Sequence, residues 1–382
     1  MAARARSAAG GLAIVAAAGG LKTGPGPSAM SANIDPLLDS IRVANNLPAV
    51  GAAIVTRDSI WALGVVGIRR IGDTTRATPA DLFHLGSDLK SMTAGMIGTL
   101  VDEGRLTWTA TMAELLPDLA STMRPEYRSV TLHDLLSHQS GLVPNATIPF
   151  SGPDERAQRV RFLSWVFRQP SVSPRGTYSY ANSNYTVAGA IAERLCDESY
   201  EQLMFERIFR PLGMTTVGWG AAGTRGKVDQ PWQHRIGPFG APVAVQPGPD
   251  ADNPPVMSPA GRAHMSVHDW ALWVRAVLRA EAGDSSLWRP ATARMLVAPA
   301  VRVDANTSYA LGWLTTSRSW AGPTGRTLTH VGSNTMNVAD VWVAPDAGFA
   351  VLAVTNQGGD TATRAMDGVV SRLIQLYHGA RP

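Results

Sequence analysis

The sequence predicts an α+β fold in which one antiparallel sheet is flanked by the terminal helices and joined to a helical lobe. The main observation is that β-rich runs occur near both ends of the chain. At the start, runs 49–55 and 60–68 are separated by a short polar turn, a pattern that indicates an antiparallel hairpin. Near the other end, runs 338–343 and 349–354 flank a Pro-Asp-Ala-Gly turn and predict a second hairpin. The simplest assembly pairs both hairpins in one sheet.

Helices are predicted outside both hairpins. Apolar residues over 34–47 recur with helical spacing behind Asn33, which is the expected N-cap. A closing helix is predicted over 363–378, where the apolar residues again follow a helical period. We expect these two helices to cover the sheet.

The region between the hairpins predicts a helical lobe. Its helical segments are interrupted by loops rich in Pro and Gly, among which 224–255 is long and has no clear period. This loop is either a substrate-facing insertion or a surface excursion. We expect a single domain over 31–382, with a sheet lobe at 31–85 and 300–382 and a helical lobe at 86–299. The interface between the lobes is the natural place for a binding cleft.

The first thirty residues are expected to lie outside the fold. Arg4 and Arg6 precede a run of small residues that ends at Leu21, which resembles a secretory signal. Alternatively, Met30 is the true start and residues 1–29 are a disordered or mistranslated extension. The expected location is periplasmic or secreted if residues 1–30 are a signal peptide, and cytoplasmic otherwise.

Composition excludes several classes of protein. The formal net charge is +4, but the 34 basic residues are scattered and form no basic block, so we expect no nucleic-acid partner. Only three of them are lysines: Lys22, Lys90 and Lys227. The single cysteine, Cys196, excludes an intrachain disulfide and a Cys-rich zinc site. No stretch approaches the apolar length of a membrane span, and we expect no metal or other cofactor.

A serine and a lysine at the start of a predicted helix are the first candidates for catalysis. Ser87 and Lys90 are three residues apart and therefore share a face of the first turn. Free N–H groups at a helix N-terminus favour negative charge, and burial lets a lysine lose its proton. A chain that strongly prefers arginine, which cannot act as a base, has lysine here. The pair predicts a nucleophile and its base, with a helix cap and a surface lysine as the alternative.

A second candidate element precedes the helical run 187–195. Tyr180 and Asn182 would place a phenol and an amide on a loop that enters this helix. The phenol can shuttle a proton if nearby cations lower its pKa, and the amide can hold a lysine or a substrate carbonyl. The alternative is a tyrosine-rich edge of the core.

A third candidate element, His330 to Ser333, precedes the strand 338–343. Gly332 at a strand edge lets a ligand backbone approach closely, and the N–H of Ser333 can donate to a carbonyl oxygen. The alternative is an ordinary strand with a bulge.

These three elements, in this order, resemble the Ser-x-x-Lys, Tyr-x-Asn and Lys-Thr-Gly or His-x-Gly motifs of the serine β-lactamase and penicillin-binding-protein superfamily. The chain is most similar to the class C β-lactamases and the related esterases and D,D-peptidases. Stretches 131–142, 259–261 and 309–313 are also similar to segments common there. The resemblance extends from about 34 to 377 and implies a β-lactamase/transpeptidase-like catalytic domain over 31–382.

The resemblance implies acyl transfer through a covalent acyl-enzyme. Ser87 would attack a carbonyl carbon, with Lys90 accepting its proton. Tyr180 would pass a proton to the leaving group and help activate the deacylating water. Asn182 would orient Lys90 and the substrate.

The third motif implies the oxyanion hole and the substrate contacts. Backbone N–H groups of Ser87 and Ser333 would hold the oxyanion, and His330 and Gly332 would contact the substrate. In most β-lactamases of this kind a lysine at the position of His330 faces the carboxylate of the drug. Because histidine is largely uncharged near neutral pH, efficient β-lactam hydrolysis is in doubt. We expect affinity for a carboxylate-bearing substrate to fall as pH rises through the titration of His330.

The predicted function is a serine hydrolase for ester, amide or lactam carbonyls, most like the esterases and β-lactamase-related hydrolases, with a small-molecule or peptide substrate. The alternatives are a D,D-peptidase such as a D-alanyl-D-alanine carboxypeptidase, and a penicillin-binding or sensor protein without turnover. A lipase-like hydrolase is disfavoured because no Gly-x-Ser-x-Gly pentapeptide occurs. A metal site at His264 and His268 is disfavoured because Ser266 and Asp269 form a capping-box pattern, which makes the helix begin after His264. The oligomeric state is left open.

Overall fold

Both ends of the chain contribute strands to one antiparallel sheet, as the sequence predicts. The computed structural model describes residues 32–150, 152 and 154–380. The strands are β1 (Ala49–Thr56), β2 (Ile60–Gly67), β3 (Leu82–His84), β4 (Gly218–Trp219), β5 (Gln233–Ile236), β6 (Pro242–Val245), β7 (Ala263–Ser266), β8 (Val301–Arg302), β9 (Ser308–Tyr309), β10 (Leu314–Ser317), β11 (Arg326–Gly332), β12 (Val338–Ala344) and β13 (Phe349–Thr355). The α-helices are α1 (Asp35–Ala44), α2 (Leu89–Asp102), α3 (Met112–Leu115), α4 (Pro125–Arg128), α5 (Leu132–Leu136), α6 (Glu155–Val166), α7 (Asn182–Cys196), α8 (Tyr200–Met204), α9 (Ser258–Gly261), α10 (Val267–Glu281), α11 (Pro290–Val297) and α12 (Asp360–Gly379).

The main sheet has eight strands in the order β2-β1-β13-β12-β11-β10-β9-β8. Every neighbouring pair in it is antiparallel. Strand β1 pairs with β13 over seven positions, from Val50 opposite Thr355 to Thr56 opposite Phe349. The first hairpin therefore joins the last one directly, and the α+β prediction is confirmed.

Helices cover both faces of this sheet. Alternate residues of β1 enter different cores because successive strand side chains point to opposite faces. Val50, Ala52 and Ile54 pack in the core that includes α1 and α12, whereas Ala53 and Val55 pack in the core of α10 and the helical region. The predicted covering role of the terminal helices is correct, and α10 provides the layer on the opposite face.

The helix boundaries differ slightly from the prediction. Helix α1 is shorter than 34–47, and its N-cap is Ile34 rather than the predicted Asn33, whose Oδ1 accepts a hydrogen bond from the Asp35 N–H at 3.0 Å. Helix α12 begins earlier than expected, after Gly359, whose φ is +90°. Helix α10 begins after Ser266, whose hydroxyl accepts the Asp269 N–H at 3.1 Å, as the capping pattern predicts.

The segment 224–255 contains a two-stranded ribbon of β5 and β6, which the sequence did not indicate. Its strands have only four residues each and are separated by a loop that contains Pro and Gly, so no period could reveal them. A smaller sheet has three strands in the order β3-β7-β4, and the chain runs from β3 into the segment that leads to α2. Within the described residues, none of the helices is both long and apolar enough to cross a bilayer. The predicted signal segment lies outside those residues.

Candidate active site

The predicted nucleophile and base lie side by side where the chain enters α2. A 3-10 turn, Gly86–Asp88, leads directly into the helix. Ser87 is partly exposed in this turn, whereas the Lys90 side chain is fully buried. The Lys90 Nζ lies 2.9 Å from the Ser87 Oγ. The structure therefore places the two groups within hydrogen-bond distance, as their spacing predicts.

The surroundings of Lys90 can hold an uncharged amine. Its Nζ lies 2.8 Å from Asn182 Oδ1 and 2.6 Å from the carbonyl oxygen of Ala260, and both of these atoms can only accept. In the structure the Nζ also donates to the Ser87 Oγ. A neutral amine keeps two N–H bonds for the two carbonyl oxygens and can turn its lone pair to the Ser87 hydroxyl. Burial lowers the pKa of Lys90 to about 7, against a smaller opposing effect of Asp88.

Asp88 is the buried carboxyl nearest to this amine in the sequence. Its carboxyl oxygens make no hydrogen bond among the described residues, and Oδ1 lies 3.3 Å from the His330 Nδ1. Burial raises the pKa of Asp88 well above its usual range, with a further contribution from Asp340. The charge of Asp88 raises the pKa of Lys90, but by less than burial lowers it.

Tyr180 and Asn182 reach the same point from the start of α7. Asn182 is the first residue of the helix, and the Lys90 Nζ lies 5.0 Å from the centroid of the Tyr180 ring. Burial raises the pKa of Tyr180, although a hydrogen bond with Ser87 partly offsets this effect. The pKa of the Tyr180 phenol is therefore raised rather than lowered, and Tyr180 remains a hydroxyl donor at neutral pH.

His138 makes hydrogen bonds to the backbone on both sides of Tyr180. Its carbonyl oxygen accepts the Ser179 N–H at 2.8 Å, and its Nδ1 accepts the Ala181 N–H at 3.2 Å. Its ring lies 4.3 Å from that of Tyr180. These contacts fix the backbone on both sides of the tyrosine. His138 takes φ = +61° to make them, in the left-handed region that residues other than glycine rarely adopt.

The end of β11 packs directly against the Ser87 turn. A Cβ on Gly332 would collide with the carbonyl oxygen of Leu85 and lie 2.9 Å from the Ser87 nitrogen. A Cβ on Gly86 would collide with the Ser333 nitrogen. The two glycines thus bring the backbone amides of Ser87 and Ser333 next to each other.

Two further glycines pack closely against this turn and the start of α2. Gly261 has φ = +154°, and a Cβ there would lie 2.8 Å from the carbonyl of Gly86. Gly312 has φ = +86°, and a Cβ there would lie 2.6 Å from the Ser91 Cα. These contacts give a physical reason for glycine in stretches 259–261 and 309–313.

His330 is buried beside this site and stays neutral. Its Nδ1 lies 3.0 Å from the Val331 carbonyl oxygen and 3.3 Å from the Asp88 Oδ1, and its Nε2 lies 3.5 Å from the Tyr309 hydroxyl. Burial, followed by the charge of Lys90, lowers the pKa of His330 to about 3. The expected loss of carboxylate affinity through the titration of His330 is therefore not a feature of neutral pH, because the ring is uncharged there.

An open cleft of about 550 Å³ extends from Ser87 along the sheet edge. Tyr180, His330 and Ser333 line it near Ser87, and Arg318 and Trp342 also line it. The Arg318 Cζ lies 5.0 Å from the centroid of the Trp342 ring. No sequence motif marks Arg318, which is one of many scattered arginines.

The model of the family described as Beta-lactamase matches residues 30–375, so the chain belongs to the Beta-lactamase family. It is 28% identical over 327 residues to a protein of Aspergillus campestris named unguisins hydrolase ungD', covering 81% of this chain and 59% of that one. It is 29% identical over 177 residues to penicillin-binding protein 4 of Amycolatopsis lactamdurans, covering 46% of each. The chain thus spans 59% of the length of the first of these relatives and 46% of the length of the second.

Solved structures share the fold. The octameric penicillin-binding protein homologue from Pyrococcus abyssi matches with a TM-score of 0.73 at 20% identity, over 89% of this chain and 76% of that one. A penicillin-binding protein from Bacillus halodurans matches with a TM-score of 0.70 at 18% identity, over 88% of this chain and 98% of that one. These similarities define a penicillin-binding-protein and β-lactamase-like fold.

The close contact of β11 with the Ser87 turn can be tested by stability. We expect Gly332→Ala to lower the free energy of unfolding by at least about 1–3 kcal/mol, because the added methyl meets backbone rather than a movable side chain. Gly368→Ala on α12, where a Cβ meets open space, is the matched control and should not destabilise the protein. Urea unfolding measures the free energy of unfolding of the wild type and both variants. A Gly332→Ala midpoint equal to that of the wild type would contradict the close contact of β11 with the Ser87 turn.

Proposed function

We propose that this protein is a serine hydrolase that forms an acyl-enzyme on Ser87 with ester, amide or lactam carbonyls, most like the esterases and β-lactamase-related hydrolases. The observation that carries the proposal is the buried Lys90 amine. Its nitrogen lies 2.9 Å from the Ser87 hydroxyl oxygen and also donates hydrogen bonds to two carbonyl oxygens. Such an amine has its lone pair free for the hydroxyl proton. The names of the relatives as hydrolases and penicillin-binding proteins support the same reaction class.

Acylation follows from this arrangement. As the Ser87 Oγ bonds to the carbonyl carbon, its proton moves to the Lys90 Nζ. The carbonyl oxygen becomes an oxyanion between the N–H groups of Ser87 and Ser333, and each such donor typically contributes about 3 kcal/mol. The leaving group departs with the proton of the Tyr180 hydroxyl, which regains one from the Lys90 ammonium.

Deacylation uses the same groups in reverse. A water attacks the acyl carbon and gives its proton to Tyr180, while Tyr180 passes its own proton to neutral Lys90. The raised pKa of Tyr180 favours this relay over a stable phenolate. The acid is released as the Ser87 Oγ takes back a proton from Lys90.

Arg318 supports a second candidate, a D,D-peptidase. Because His330 is neutral, the permanent positive charge among the residues that line this cleft is that of Arg318. A guanidinium matches the terminal carboxylate of a peptide substrate, which a simple ester lacks. The third candidate, a penicillin-binding or sensor protein, would be acylated without turnover.

The nucleophile is tested by turnover. The protein should hydrolyse a short-chain p-nitrophenyl ester over many equivalents, and Ser87→Ala should lose at least about 1,000-fold in kcat/KM. A side-by-side panel with a cephalosporin chromophore and a D-Ala-D-Ala peptide then ranks the acyl groups. Unchanged activity in Ser87→Ala would exclude this nucleophile. A stable single-equivalent adduct on Ser87, detected by mass spectrometry, would favour the sensor.

The base is tested by pH and by substitution. Because only the neutral amine accepts a proton, kcat/KM for the ester should rise with pH through about 7 and then level off. Lys90→Arg should be as damaging as Lys90→Ala, since arginine stays protonated. A flat profile from pH 5 to 8, or substantial activity in the arginine variant, would contradict the role of Lys90.

The role of Arg318 is tested by substrate charge. Arg318→Ala should raise KM by about 10-fold or more for a substrate with a free carboxylate, as expected when a charged hydrogen bond is lost. It should leave KM for a neutral ester unchanged. Arg372→Ala, on the exposed side of α12, is the control. An equal change for both substrates would rule out carboxylate recognition.

A further inference from the structure

A buried carboxylate from the segment 224–255 connects the two sides of the proposed oxyanion hole. The Asp252 side chain is only 1% exposed, although the segment is rich in Pro and Gly. Its Oδ2 lies 2.9 Å from the His84 Nε2, and its Oδ1 accepts the Asn334 side-chain N–H at 2.9 Å. Each of these two partners lies close in sequence to one of the proposed oxyanion donors.

On one side, His84 connects Asp252 to the Ser87 turn. The Gly86 N–H donates to the His84 Nδ1 at 3.0 Å. Because a backbone N–H can only donate, Nδ1 is the accepting nitrogen, and Nε2 carries the proton that points to Asp252. The carboxylate thus fixes the imidazole, and the imidazole fixes the amide directly before Ser87.

On the other side, Asn334 connects Asp252 to the end of β11. Asn334 follows Ser333, and its side-chain amide also donates to the Gln233 Oε1 at 2.6 Å. The Asn334 Oδ1 accepts the Met336 N–H at 3.2 Å. These bonds hold the backbone just after the Ser333 amide, and a backbone N–H of the same segment, that of Asn253, donates to Asp252 at 2.7 Å.

We propose that Asp252 is a positioning residue that sets the separation of the Ser87 and Ser333 amides, through His84 on one side and Asn334 on the other. The inference rests on the proposed function, because it assigns these amides to the oxyanion hole. It also makes the segment 224–255 part of the site. A shift of the order of an ångström in such donors is enough to impair catalysis strongly.

Asp252→Asn is the direct test, since it keeps the size of the side chain but turns an NH2 donor toward groups that themselves donate to the carboxylate. We expect kcat/KM for an oxoester to fall by about 10- to 100-fold, as for a misplaced oxyanion donor. The diagnostic readout is the preference for the oxoester over its thionoester, because sulfur fits a hole shaped for oxygen poorly. The ratio of kcat/KM for the oxoester to kcat/KM for the thionoester should fall toward one in Asp252→Asn. The midpoint of the pH profile of kcat/KM should stay near 7.

Asp250→Asn, an exposed carboxylate of the same segment, is the matched control and should keep the wild-type preference. If Asp252→Asn does not fold, Asn334→Ala and His84→Gln test the two arms separately and should each reduce the preference. If the folded variants keep the wild-type preference for the oxoester, whatever their rate, the positioning role of Asp252 is wrong, while the proposed function is unaffected. Absence of Ser87-dependent hydrolysis in the wild type would overturn the proposed function and this inference with it.

Discussion

The buried amine of Lys90 is the interaction on which the site depends. It joins three segments that are far apart in the sequence: the start of α2, the start of α7 at Asn182, and α9 at Ala260. A buried charge without a partner is costly, so the surroundings favour the neutral form of the amine. Asp88, the nearest carboxyl in the sequence, opposes this preference, but by less than burial favours it. The same amine therefore connects the Ser87 turn to two helices of the helical region.

The sheet determines where this amine can act. Strand β11 runs in the middle of the strand order and ends against the Ser87 turn, and contact this close is possible only with glycine at 86 and 332. Gly261 packs against another side of the turn, and Gly312 packs against the start of α2 that follows it. Steric constraint from backbone atoms, rather than hydrogen bonding alone, therefore fixes Ser87 relative to the Ser333 amide. The carboxylate of Asp252 then ties the two sides of that contact together.

Local patterns were enough to predict the sheet, the family and the Ser87–Lys90 pair. The hairpins consist of β-rich runs with clear turns between them, and residues three apart at a helix start share one face. The remaining features depend on contacts between distant segments. The low pKa of His330 comes from burial under β-sheet neighbours, which a sequence pattern does not reveal. Asp252 lies in a segment without period, and Arg318 is one arginine among many, so only the fold brings them to the site.

The protonation state of Lys90 is the most direct test of this account. Because the chain has only three lysines, selective isotopic labelling of lysine gives an NMR spectrum that can be titrated residue by residue, with Lys90→Arg identifying the signal. The account predicts that one lysine signal, lost in Lys90→Arg, titrates near pH 7 in the folded protein. If no lysine signal titrates below about pH 9, Lys90 has the ordinary lysine pKa of about 10.4 and cannot be the base at neutral pH.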